Sequence, residues 1–284
     1  MVNKRKFQVC NGYLLEFEQL ARVLSFLAEN ADLKRLSRDA LVEGTGLANR
    51  QVESLVSVGA AMGLIRPGNQ VLTPAGWVVA KHDVFIEARG TLEWCHYVGA
   101  GTHRNLIWYE VFNTILPGEA PMTADRWMEF LRGALAGQYT DRTIGKHLRE
   151  EVRFVSDAYL NRNFKKLGIL HGASDGRLYR RRATELTPKI LTAMIYDFSR
   201  RAETDLIQID VLMTQPGSPG MLFAMERETL REMVEALHRN GWVRYEFTHN
   251  LDQIRVQTGL SPVDFITAYY EDADPVPSHG AVAS

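Results

Sequence analysis

The sequence predicts a mainly α-helical protein with short β-hairpins, and three observations carry that prediction. Apolar residues recur at helical spacing through most of the chain. Two polar turns, within 64–72 and 169–180, are flanked by short apolar pairs that read as hairpin strands. Each hairpin then runs into the same junction, Leu72-Thr73-Pro74 and Leu186-Thr187-Pro188, where a capping hydroxyl precedes a proline at a helix start.

From Glu16 to Ala28, the residues Phe17, Leu20, Ala21, Leu24 and Leu27 form one apolar stripe, which predicts an amphipathic helix. Ser37 is placed to cap a short second helix, and Gly44-Thr45-Gly46 supplies a sharp turn. A third helix is expected from Leu47 to Met62, with Val52, Leu55, Val56 and Gly59 inward and Asn49, Arg50, Glu53 and Ser57 outward. Pro67-Gly68-Asn69 turns the following hairpin. The order helix, helix, turn, helix, hairpin, helix is a winged helix-turn-helix.

The stretch from Ile86 to Phe112 holds Leu92, Trp94, Tyr97, Ile107, Trp108, Val111 and Phe112, a density of aromatics that suits core helices. Leu116 to Pro121 reads as a linker, and Thr123 as the cap of a helix containing Trp127, Phe130 and Leu131. From Thr140 the helix–hairpin order returns: a helix through Leu148, a second around Phe154, Val155 and Tyr159, a segment from Phe164 to Leu167 ending at Gly168, and the second hairpin. The last part predicts a strand near Met221 to Met225, a helix from Arg227 to Asn240, a strand from Trp242 to Phe247 and a closing helix from Ser261-Pro262. The expected organisation is therefore tandem winged units joined by a helical core: 1–85, 86–204, an α+β unit at 205–270 and a disordered tail at 271–284.

The 284 residues are 45% hydrophobic and 24% charged with a formal net charge of −1, ordinary values for a folded protein. Two cysteines, no apolar signal core after Met1 and no apolar run of about 20 residues predict a cytoplasmic protein without a disulfide framework or membrane span. A nearly neutral chain can attract nucleic acid only by segregating its charge. It does so between Asp141 and Arg182, where eleven Lys and Arg face five Asp and Glu, a local net of +6.

A winged unit would carry Arg177, Arg180, Arg181 and Arg182 on its hairpin and Arg162, Lys165 and Lys166 on the helix before it, all suited to phosphate contact. In the first unit Asn49, Arg50 and Gln51 have side chains able to read base edges, although Glu53 on the same face opposes phosphate. Cys95, His96 and His103 do not reach the four ligands of a closed zinc site. No phosphate loop, His-Glu-x-x-His or Gly-x-Ser-x-Gly stands in the sequence, and no cofactor is expected. Asp205, Asp210, Glu226 and Glu228 are the acids that a metal-dependent nuclease would have to gather.

Leu64-Ile65, Leu72-Thr73-Pro74-Ala75-Gly76, the segment Tyr159 to Leu170, Pro216-Gly217-Ser218-Pro219-Gly220 with Phe223, and Tyr269-Tyr270 resemble a bacterial family of unknown function. That family is found in phage-defence and DNA-phosphorothioation-type gene neighbourhoods, and some members carry a phosphoadenosine phosphosulfate reductase label, which these residues do not support. The combination of helices and winged units is also similar to DNA-binding accessory subunits of the BREX phage-exclusion system. Both resemblances imply a non-enzymatic component that binds double-stranded DNA beside protein partners in a defence or modification complex. A winged-helix transcriptional regulator, homodimeric or not, and a metal-dependent nuclease or sulfur-transfer enzyme are the alternatives.

Overall fold

The computed structural model describes residues 5–118, 120–248, 251–257 and 259–276, and in it the chain is mainly helical with two small antiparallel sheets. The chain divides into two compact units, Met1–Arg181 and Arg182–Ser284. Their charge differs: the first carries 24 Lys and Arg against 19 Asp and Glu, the second 9 against 15. No helix among the described residues is long and apolar enough to cross a membrane.

In the first unit, α1 (Phe17–Glu29) buries Phe17, Leu20, Ala21, Leu24 and Leu27, the face that their spacing predicts. The hydroxyl of Ser37 accepts the Ala40 N–H at 3.1 Å to cap α2 (Arg38–Thr45), and Gly46 at φ 65° ends it in the left-handed region. α3 (Asn49–Ala61) follows. The first hairpin is minimal: one antiparallel bridge, Ile65 to Leu72, with Arg66 N–H donating to Val71 O at 2.8 Å. It leads into α4 (Pro74–His82), capped by Thr73, whose hydroxyl accepts the Gly76 N–H at 2.9 Å. A Cβ on Gly76 would lie 1.9 Å from the Leu64 carbonyl oxygen, so only glycine lets α4 start against the hairpin backbone.

α5 (Arg89–Gly101) and α6 (Leu106–Glu110), which continues through a π-type turn over Val111–Ile115, bury the expected aromatics. Tyr159 is their shared partner: its hydroxyl accepts Trp108 Nε1–H at 2.8 Å and lies 2.5 Å from His96 Nδ1, with all three side chains buried. Tyr159→Phe removes only an oxygen, and should cost about 1–3 kcal/mol by taking from the buried Trp108 Nε1–H its acceptor; urea denaturation measures it.

Next come β1 (Met122–Thr123), α7 (Ala124–Leu135), α8 (Asp141–Leu160), a 3-10 turn at Asn163–Leu167, β2 (Leu170–Gly172) and β3 (Arg177–Arg180), with the sheet in the order β1-β3-β2. Two expectations are corrected here. The helix from Thr140 does not stop at Leu148, because Glu151 and Val152 are buried and carry the inward face through the charged middle. Arg162, Lys165 and Lys166 do not extend it: Asn161 ends α8 and the chain re-forms as the 3-10 turn.

No boundary falls near residue 85. Phe17 of α1 packs edge-on against Phe164 at 5.8 Å, and Asn163 Nδ2 donates to the Phe85 and Ile86 carbonyls at 3.1 and 2.9 Å, so a shared core joins the segments.

The second unit begins before 204, with α9 (Pro188–Arg201), whose Tyr196 packs on Phe265 at 4.8 Å. β4 (Leu206–Gln208), α10 (Ile209–Thr214), α11 (Pro219–Leu222), α12 (Arg227–Arg239), β5 (Val243–Thr248), β6 (Leu251–Val256) and α13 (Pro262–Glu271) complete it, with the sheet in the order β4-β6-β5. The expected strand at Met221 to Met225 is instead the end of α11 and a turn. A short apolar run does not distinguish the two, and Pro219 at the first helical position starts the helix. The expected tail falls partly on 277–284, outside the described residues.

Candidate nucleic-acid interface

α8 is 20 residues long and two-sided. Ile144, Leu148, Val152, Val155 and Tyr159 bury one face, and Thr140 caps the start by accepting the Thr143 N–H at 3.3 Å. Arg142, Lys146, Arg149 and Arg153 are all exposed. Their spacing of i, i+4, i+7 and i+11 places them within an arc of about 60° and along about 16 Å of axis. Among the described residues none of the four is in an ion pair. The reason lies in where the helix's own acids go. Glu150 lies 3.5 Å from His147, Asp157 holds Arg162 at 2.9 Å, and Glu151 is buried.

Glu151 grips the start of the chain. Its carboxylate accepts the backbone N–H of Val9 at 3.0 Å to both oxygens and that of Cys10 at 3.1 and 3.3 Å. Burial raises its pKa to about 7, against the downward pull of those N–H bonds. Burial also raises the Cys10 thiol, with the Glu151 charge adding to it. On its other side the same segment is held by α3: Ser54 Oγ donates to Cys10 O and Ser57 Oγ to Val9 O, each at 2.6 Å, while Lys6 Nζ donates to Ser57 Oγ at 2.6 Å. Burial, then the Arg104 charge, lowers the Lys6 pKa. Residues 5–10 thus form a strap between α3 and α8.

That strap alters the reading of α3. Asn49 and Arg50 stand exposed at its start, but Gln51 Oε1 accepts the Ala48 N–H at 3.1 Å and serves as a cap. Glu53 lies 3.5 Å from Arg38. Ser57, expected outward, is buried beneath the strap. What remains open is a groove of about 520 Å³ lined by Lys6, Gln8, Arg38, Glu53 and Gln70 among others.

The other basic residues are unequally available. Arg162 lies between Asp157 at 2.9 Å and Glu16 at 2.8 Å, and the Asp157 hydrogen bond leads in raising its pKa. Lys165 and Lys166 are exposed on the 3-10 turn, Lys166 Nζ donating to Glu87 O at 3.2 Å, and they share a depression with Glu16 and Glu18. On the second hairpin Arg177 Nε donates to Asp175 at 2.7 Å. Arg180 is half-buried, and Arg181 is exposed. Arg182 opens the second unit and pairs with Glu226. Among the described residues between Asp141 and Arg182, the α8 stripe is thus a set of four exposed cations outside any ion pair, which the local net of +6 contains without singling out. Its spacing is visible in the sequence, but only along one uninterrupted helix.

The residues considered for metal binding are dispersed. Cys95 is buried, and His96 is engaged by Tyr159. Asp205 pairs with Arg255 at 2.8 Å, Asp210 with Arg227, Glu226 with Arg182, and Glu228 with Arg231 at 3.7 Å. Among the described residues no three His, Cys, Asp or Glu gather around a point that would hold a metal ion.

Comparison with known proteins gives two results. A family model described as Protein of unknown function (DUF4007) matches residues 20–270. Two solved structures of a protein called SspB, one of them magnesium ion-bound, each align with a TM-score of 0.74 at 16% identity, over 97% of this chain and 90% of that chain. At that identity the likeness is one of fold. No curated protein matches.

Proposed function

We propose, from the premise that this chain belongs to the DUF4007 family of proteins of unknown function, that it is a DNA-binding component of a bacterial antiviral-defence or DNA-modification system. The observation that carries the proposal is the unpaired stripe Arg142, Lys146, Arg149 and Arg153 on α8. The order α6, β1, α7, α8, β2, β3, with the hairpin paired to β1, supports a winged helix-turn-helix reading in which α8 takes the recognition position. The defence setting rests on the sequence resemblance. The excess of acid in the second unit repels phosphate and suits it to protein partners instead.

Phosphate contact has a quantitative signature, because each neutralised phosphate releases condensed counterions. If the four cations each neutralise one, the slope of log K against log salt for a short duplex should lie at about −3 to −4. Fluorescence anisotropy across a salt series measures it, and a duplex affinity indifferent to salt would refute the assignment.

A second reading, metal-dependent DNA cleavage, is favoured by the magnesium ion in one similar structure. The carboxylates present do not fit it as they stand, since Asp205, Asp210, Glu226 and Glu228 are each engaged by an arginine. Incubating supercoiled plasmid with the protein and magnesium or manganese separates the two readings: nicking supports the second, and intact plasmid under a full gel shift the first.

A further inference from the structure

The hairpin of β2 and β3 turns one face to α8 and the other outward. Leu170 and Leu178 are buried, and a Cβ on Gly172 would meet the Leu178 and Leu160 side chains at 3.8 and 4.0 Å, which marks the inward face. Side chains alternate across a strand, so His171 and Tyr179 stand on the outward one. They lie directly opposite each other in the ladder, and their rings stack at 5.7 Å with an interplanar angle of 26°. Both stay partly open to solvent. The ladder runs one step past the strands, with Ala173 N–H donating to Arg177 O at 2.8 Å and Arg181 N–H to Ile169 O at 2.9 Å. Arg177 and Arg181 therefore flank Tyr179 on the same face, two positions to either side. Arg181 is exposed and, among the described residues, in no ion pair, while Arg177 has the exposed Asp175, a weak surface partner.

Cross-strand aromatic pairs stabilise a hairpin, and this pair contributes to that. Its setting adds a second capacity. Sites for single-stranded nucleic acid combine positive charge along the backbone with aromatic faces on which bases stack, and both stand here beside the cationic helix. We infer that His171 and Tyr179 form a stacking site for an unpaired nucleobase, and that the preferred substrate is duplex DNA interrupted by unpaired bases. This rests on the DNA-binding reading and specifies its substrate. In an intact duplex each base is covered by its neighbours, and only groove edges and phosphates are open to a protein. A base that has lost its neighbours has a free π face to lay on the aromatic pair. Arg177 and Arg181 then hold its flanking phosphates, and the α8 stripe holds the adjoining duplex.

The test uses the full chain and short DNAs of one sequence: an intact duplex, the same duplex with a gap in one strand that leaves a few bases unpaired, and that gapped duplex with abasic sites in place of the unpaired nucleotides. The wild type should bind the gapped duplex about tenfold more tightly than the intact one, and the abasic gap no more tightly than the intact duplex. Tyr179→Val and His171→Val keep a strand-forming residue and should bring that preference to about threefold or less, with intact-duplex affinity within about twofold of wild type. Equal binding of the gapped and abasic substrates by the wild type overturns the stacking site, and so does a full preference retained in Tyr179→Val. The double change Arg149→Glu with Arg153→Glu should weaken binding to every DNA alike. A missing gap preference beside a weakened double variant removes the stacking site alone, whereas a double variant that weakens nothing removes the DNA-binding reading as well. Should the Val variants melt lower than wild type, Tyr179→Trp decides: tighter binding of the gapped duplex supports the stacking site, and unchanged binding overturns it.

Discussion

Converting Arg149 and Arg153 together to glutamate is expected to lower duplex-DNA affinity by about a hundredfold at low salt and to flatten the salt slope by about 2. Each change removes a cation that faces solvent without a carboxylate partner and puts a like charge opposite phosphate. Neither side chain supports the fold, so thermal stability should stay within about 0.5 kcal/mol of wild type. Arg162→Glu is the informative contrast. Its guanidinium bridges Asp157 and Glu16, so reversal should destabilise the protein while changing DNA affinity much less. Anisotropy titrations paired with melting curves separate the two effects. A larger loss of binding from Arg162→Glu than from the double change would move the interface off α8.

Glu151→Ala should produce the largest loss of stability, about 2–4 kcal/mol. It leaves the Val9 and Cys10 N–H groups buried without acceptors and opens a cavity between the strap and α8. The same residue sets an unusual pH dependence. A carboxyl whose pKa rises from 4.5 to about 7 on folding binds its proton more tightly in the native state. Its contribution to stability is therefore fully present below about pH 4.5 and is lost as pH climbs to about 7, a change of about 3 kcal/mol, opposite in sign to that of an ion-paired carboxylate. Melting temperatures across this window should fall for the wild type relative to Glu151→Gln, which has no proton to lose. Parallel curves would show that the backbone N–H groups compensate the buried charge fully. Because Glu151 and the cationic stripe occupy different faces of α8, the stability effect and the affinity effect should separate.

Much of the helical architecture was legible locally. Ser37, Thr73, Thr123 and Thr140 cap the helices they were expected to cap, since a cap needs only the hydroxyl and an N–H two or three residues on. The two Leu-Thr-Pro junctions show the limit of that rule. Each puts proline at a helix start, yet Thr73 caps α4 while Thr187 makes no capping bond to α9. The repeat marks two helix starts without making them equivalent.

The charge concentration between Asp141 and Arg182 was likewise determined by the sequence alone, as were the buried aromatics of α5 and α6. Which of those charges remain available was decided only by the tertiary structure. Arg162 is engaged by Glu16 from 146 positions away, and Ser57 is covered by Val9 from 48 positions away. The unbroken course of α8 depends on Glu151 finding N–H partners 141 and 142 residues earlier, which makes a charged middle turn compatible with a buried face. Helix period, caps and turns are set by neighbours within a turn or two. Burial and ion pairing are set by whatever distant segment the fold brings alongside, and that separates a basic sequence from a basic surface.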